Sequence, residues 1–301
     1  MIDWILDPLR SGITQRALLE ILILGAVCGP LGVWVVLFRQ SYAAESIAHA
    51  MLPGLVVAAL VSAPLGLGAA AGLAVAASLI AVASRQTAVS PDVAVAVTVT
   101  TLFGLGTLLA LSPDVPLRLG ELLFGDPLSV SSGDLVASAC LAAVALVALT
   151  AGHRTLLLSG FDPQSAGSLG AGNRAAAWLL MGLLALTVLI AVQALGNLLV
   201  VAIVVAPAAA ALRICSRLVP ALFAAAAIAV GSGIAGIYLS FHAAVAAGAS
   251  IALCAIGAYV LALLATRLRR SSHSGAPRSR SSDRARRAGR LPATPASGGA
   301  S

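Results

Sequence analysis

Lysine is absent from the 301 residues, so all eighteen basic side chains are arginine. Without lysine there is no Gly-rich phosphate loop ending in Lys-Ser or Lys-Thr, which excludes the usual means of binding and splitting a nucleoside triphosphate. Any ATP-driven work must therefore come from a partner. Charge of either sign is scarce: charged residues make up 10% of the chain, against about 25% in an ordinary soluble domain. With 60% hydrophobic residues and a mean hydropathy of +1.03, the chain is not a soluble globular domain but a polytopic membrane protein. Cysteine is equally sparse. Cys28, Cys140, Cys215 and Cys254 lie singly in or beside apolar runs, with no Cys-x-x-Cys pair, and read as small buried fillers.

What the chain has is apolar length. A bilayer core is about 30 Å thick and a helical crossing needs roughly 20 apolar residues, so the expected fold is an all-α transmembrane bundle of about eight or nine spans. Residues 1–16 read as an interfacial N-terminal segment, 17–266 as the membrane domain and 267–301 as a disordered basic tail, which holds nine of the arginines. The first apolar run, Ala17 to Phe38, is too long for a secretory signal and reads as an uncleaved helix. The second, about Ile47 to Val61, contains Pro53 and Gly54. The run from Gly196 to Leu212, broken by Pro207, is left open as a crossing or a re-entrant segment. Arginines beside a last span stay in the cytoplasm, which places the C-terminus inside. Counting back through nine spans puts the acidic stretch Ser112–Asp134 and the N-terminus outside. The basic tail is expected to meet anionic lipid, and no nucleic acid is expected as partner.

Glu45 and His49 stand out as the one pair of ionisable side chains at the start of an apolar run. In a helix, their four-residue spacing places both on one face about a turn apart, close enough to hold one cation together. Imidazole nitrogen and carboxylate oxygen form the common ligand set for zinc, manganese and iron. Two ligands hold such an ion weakly, which suits a path that must release what it accepts. The plainer reading leaves Glu45 in a loop and His49 donating to a backbone carbonyl. His242 reads as interfacial, His153 and His273 as loop residues, and Asn197 as a pore contact or a bond between helices.

Arg39-x-Ser41 followed by Glu45-x-x-x-His49-x-x-Leu52-Pro53-Gly54 resembles the signature of the zinc/manganese/iron permease family of ABC importers. Leu123-Phe124-Gly125-Asp126 is similar to that family's mid-chain motif. Phe161-Asp162-Pro163-Gln164-Ser165-Ala166 with Gly170 resembles its cytoplasmic coupling segment, and Gly196-Asn197-Leu198-Leu199-Val200 through Pro207-Ala208-Ala209 its Gly-x-Leu-Leu-Val to Pro-Ala-Ala run. The four motifs occur in family order between about Ala17 and Ala265. The resemblance implies a plasma-membrane permease subunit, not an enzyme, with no permanent cofactor and a transported divalent metal ion. It also implies three partners: a cytoplasmic ATPase docking on Asp162 to Gly170, a second permease copy and an extracytoplasmic metal-binding protein. Glu45 and His49 would be its metal ligands, and Pro53, Asn197 and Pro207 would line the pore.

The chain departs from the family in three places. Glu45 replaces an Asp, Ala48 replaces the Ser that often precedes the His, and Ala246-Ala247-Gly248 replaces Pro-Ser-Gly, which predicts a straighter corner there. Competing readings are a permease for a chelated metal, a proton-coupled carrier and an intramembrane hydrolase. The chain has no second cluster such as His-Glu-x-x-His for the last of these.

Overall fold

In the computed structural model, residues 10–83, 91–113, 130–161 and 173–274 are described, and among them there is no strand. The described residues form ten helices in order: α1 Gly12–Leu37, α2 Ser41–Ala50, α3 Leu52–Leu60, α4 Leu65–Ala83, α5 Pro91–Ala110, α6 Ser132–Ala151, α7 His153–Phe161, α8 Asn173–Ile214, α9 Leu218–Ala243 and α10 Ala247–Ser274. The chain divides into two compact units, Met1–Leu263 and Leu264–Ser301. The described part of the second is the end of α10. Among the described residues, six apolar segments are long enough to cross a membrane: Gly12–Leu37, Ser41–Leu60, Val93–Ala110, Ser132–Ala151, Leu218–Ala243 and Ala247–Leu268. Leu65–Ile80, Ala176–Val192 and Val200–Ile214 are shorter apolar stretches.

The bundle is built around α1, which packs against α9, α8, α6 and α2. Small residues allow this close approach. Gly25 and Gly29 meet the backbone of α9 at Val230 and at Ala225–Ala226, and Gly32 lies directly on the Val204 carbonyl of α8. Trp34, Leu24, Leu31 and Ile21 fill the core beside them.

The second apolar run is two helices rather than one. α2 and α3 meet at Met51, where Pro53 has no N–H to offer the carbonyl of His49, four residues back. Each end of the pair is closed by a Schellman turn. After α1, Gln40 donates to Val35 O at 2.8 Å and Arg39 to Val36 O at 3.1 Å; after α3, Ala63 donates to Ala58 O at 2.9 Å and Ser62 to Ala59 O at 3.3 Å. Arg39 and Ser62 take the left-handed position, with φ of 57° and 54°. The Pro53–Gly54 elbow is gripped from two sides. Gly54 contacts Gly68 O and lies beside Gly72 on α4, while Gly106 of α5 lies against Leu52 and Pro53. A methyl group at Gly54 would overlap the Gly68 carbonyl, so Gly54→Ala is expected to cost about 3 kcal/mol through overpacking. A lower melting temperature of the purified protein would register it.

Several expectations are revised. α1 begins at Gly12, inside the stretch expected to be interfacial, because residues 12–16 continue its first turns. α8 runs unbroken for 42 residues through Gly196 and Pro207, joining two runs expected to be separate. At 1.5 Å per residue it is about 63 Å long, roughly twice the bilayer core. α10 continues to Ser274, so Arg267 and His273 are helical rather than in the tail or a loop. His153 opens α7 and meets Trp34 edge-on, with ring centroids 5.5 Å apart. The corner before α10 turns at Ala244, which is left-handed with φ of 52°, and the Ser240 hydroxyl donates to Val245 O at 2.7 Å. Leu123–Asp126 and the tail beyond Ser274 lie outside the described residues.

Candidate metal-ligand site on α2

α2 presents three different faces. Ala44, Ala48 and Met51 join the main core, whereas Ala50 packs with Ala76 of α4 and Val99 and Leu102 of α5. The remaining stripe carries Tyr42, Glu45 and His49, at successive steps of three and four residues. Tyr42 is 54% exposed, Glu45 is exposed and His49 is half-buried. The expected i,i+4 pair is thus helical and on one face. The Glu45 carboxylate lies close enough to the His49 ring to interact with it electrostatically.

The imidazole is fixed from the side by Phe103 of α5, with ring centroids 4.7 Å apart and planes 31° apart. The backbone carbonyl of Glu45, one turn back, is within hydrogen-bonding reach of the ring, while its buried Nδ1 makes no bond of good geometry. A buried polar atom without a partner costs free energy unless a ligand satisfies it. Two hydroxyls are in the same condition, Ser46 Oγ on α2 and Thr187 Oγ1 on α8, the helix that packs on α2. Among the described residues no group of three or more His, Cys, Asp and Glu side chains is gathered to hold a metal. One chain therefore offers a carboxylate and an imidazole, an incomplete set for a divalent ion.

The other predicted residues are distributed along the bundle. Pro53 is half-buried at the α2–α3 elbow against Gly106. Pro207 is buried within α8, one residue before Ala208, which neighbours Gly32. Asn197 lies on the helical backbone of α8. Phe161 is the last residue of α7, and Asp162, Pro163, Ala166 and Gly170 lie outside the described residues.

Sequence reasoning missed Glu20. It lies in α1, is only 1% exposed and faces Ser138 of α6, yet the pattern of an apolar run concealed a carboxylate that was plain in the sequence. A lone acid inside a membrane helix is itself a functional signal.

Comparison with known proteins agrees with the architecture. The model of the ABC 3 transport family matches residues 11–266. A probable iron transport system membrane protein of Haemophilus influenzae is 31% identical over 269 residues, 89% of this chain and 99% of the relative. The manganese transport system membrane protein MntC of Halalkalibacterium halodurans is 36% identical over 249 residues, 82% of this chain and 85% of the relative. Among solved structures, PsaBC from Streptococcus pneumoniae in complex with Fab superposes with a TM-score of 0.80 at 27% identity, covering 87% of this chain and 95% of that one. An inward-facing putative metal-chelate type ABC transporter shares the fold, with a TM-score of 0.69 at 14% identity. An apolar helical bundle that matches this model across nearly all its described residues, and manganese and iron transport proteins over most of their lengths, belongs to the ABC 3 transport family of metal-ion permeases.

Proposed function

We propose that the chain is the membrane-spanning subunit of an importer that passes a divalent transition-metal cation into the cytoplasm, driven by a separate ATPase subunit. The observation that carries this reading is the Glu45–His49 stripe, an open carboxylate and a half-buried imidazole one helical turn apart on one face. The names of the relatives favour manganese or iron over zinc. Glu45 and His49 act as transient ligands. Two ligands bind weakly enough to release the ion, and a second copy of the chain set against the same open stripe would raise the set to four.

Pro53 at the α2–α3 elbow, the polar Asn197, and Pro207, whose ring leaves a carbonyl of α8 without its helical bond, belong to the pore. Asp162 to Gly170 docks on the ATPase from the cytoplasmic side, the side on which the C-terminus also lies. An extracytoplasmic binding protein delivers the ion. Uptake by proteoliposomes holding the chain with its ATPase tests this, with zinc, manganese and iron offered free and then chelated. Uptake of a free ion that needs ATP hydrolysis is expected. Uptake of the chelate alone, or uptake that persists with a hydrolysis-dead ATPase, would overturn the proposal.

A further inference from the structure

We propose that Glu20 is a proton-binding site in the wall between α1 and α6, separate from the metal ligands on α2. Among the described residues Glu20 is the one buried acidic side chain, and its 1% exposure is set within the single chain, so neither lipid nor a second copy is needed to bury it. Its Oε2 has no hydrogen-bond partner. Ser138 of α6, itself 5% exposed, forms a side-chain hydrogen bond with the carboxyl group. Asp134, one turn earlier on α6, adds a second negative charge nearby rather than a compensating one.

Among the described residues, no cation faces Glu20 from the helices packed around it. Arg16, one turn earlier on α1, turns away, and its Nε donates to Gly12 O at 3.3 Å. Side chains on a helix lean toward its N-terminus, which carries Arg16 further from Glu20. The titratable groups of α9 are Tyr238 and His242, whose rings neighbour each other, and Tyr238 borders the groove of Leu18 and Leu22 on another side of α1. α2 contributes Glu45 and His49, and α8 carries its basic residues at its ends.

An ionised carboxylate in this setting would be a buried charge with one hydroxyl for company, which costs several kcal/mol. A divalent metal needs more ligands than a carboxylate and a hydroxyl. A proton needs none beyond the carboxyl itself, since it bonds to the carboxylate oxygen and leaves a neutral acid. It also has a way in. Asp134 is exposed at the start of α6, held by Ser131 through hydrogen bonds of 2.6 Å and 3.1 Å, and Ser138 lies one turn further in, against Glu20.

Infrared spectroscopy of the purified full chain in lipid nanodiscs at neutral pH reads the carbonyl stretch of a protonated carboxylic acid directly. The wild type should show such a band, Glu20→Gln should lose it, and Ser138→Ala should shift its frequency by removing the hydroxyl partner. The folded chain holds a proton that the unfolded chain releases once pH exceeds the ordinary carboxyl value of 4.5, so the wild-type melting temperature should already fall as pH rises from there toward neutral. In Glu20→Gln, whose amide fits the same space, that fall should be smaller. Three results would overturn the proposal: no such band in the wild type, a band unchanged in Glu20→Gln, or a band that appears only when added manganese is stripped away, since metal would then be the occupant.

Discussion

Replacing Glu45 and His49 together by alanine is expected to lower the initial rate of metal uptake about 100-fold or more. Removing residues that merely support a ligand already costs about 10- to 100-fold in metal affinity or activity, and here the proposed ligands themselves are removed. The fold should survive, because Glu45 is exposed and His49 only half-buried, and neither is part of the main core. Monodispersity and melting temperature near wild type would confirm this. Glu45→Gln keeps the side chain's shape without its charge and should lose most of the uptake, whereas Glu45→Asp restores the residue usual in the family and should keep it. Any gain or loss in Glu45→Asp should differ between manganese and zinc, since the shorter side chain sets the ion nearer the helix. Uptake at wild-type rates in the double variant would remove these residues from the ion's path.

The second large effect is structural. A methyl group at Gly32 would sit on the carbonyl oxygen of Val204 and within 3.0 Å of the Ala208 side chain. Neither α1 nor α8 has a flexible side chain at that point to move aside, so the two helices must separate. Separation opens the centre of the bundle, where Trp34 and Leu31 are fully buried. Gly32→Ala is therefore expected to cost about 4 kcal/mol or more, a loss on the scale reserved for such clashes. Little monodisperse protein should be recovered. Gly182→Ala is the matched control: nothing lies within 4 Å of the added group, and alanine favours the helix by about 1 kcal/mol over glycine. It should melt at or above the wild-type temperature. Equal behaviour of the two variants would contradict the close α1–α8 contact.

Much of the bundle was legible because apolar length is a strong signal: the apolar runs Pro64–Ala83, Val93–Leu111 and Leu135–Ala151 end close to the limits of α4, α5 and α6. The Glu45–His49 stripe was legible for a related reason: four-residue spacing means one thing in a helix, and the helix formed. Other features are decided by contacts that a linear reading does not contain. Gly196 and Pro207 look like breaks, yet α8 passes through both, as a packed helix can when its neighbours hold it. The elbow at Met51 depends on Pro53 together with glycines from α4 and α5 that lie far away in sequence. Arg39 occupies a left-handed position that usually favours glycine, so its turn gave no local warning. Glu20 was overlooked for a different reason. A single carboxylate amid leucines and isoleucines is averaged away with its apolar surroundings, whereas a spaced pair of ionisable residues is not.

Pulsed electron paramagnetic resonance of manganese bound to the purified permease complex tests the central claim most directly. An ion held by Glu45 and His49 should show coupling to an imidazole nitrogen that disappears in His49→Ala, and its affinity should fall in Glu45→Gln. Manganese bound with the same nitrogen coupling in His49→Ala, or with none in the wild type, would contradict it.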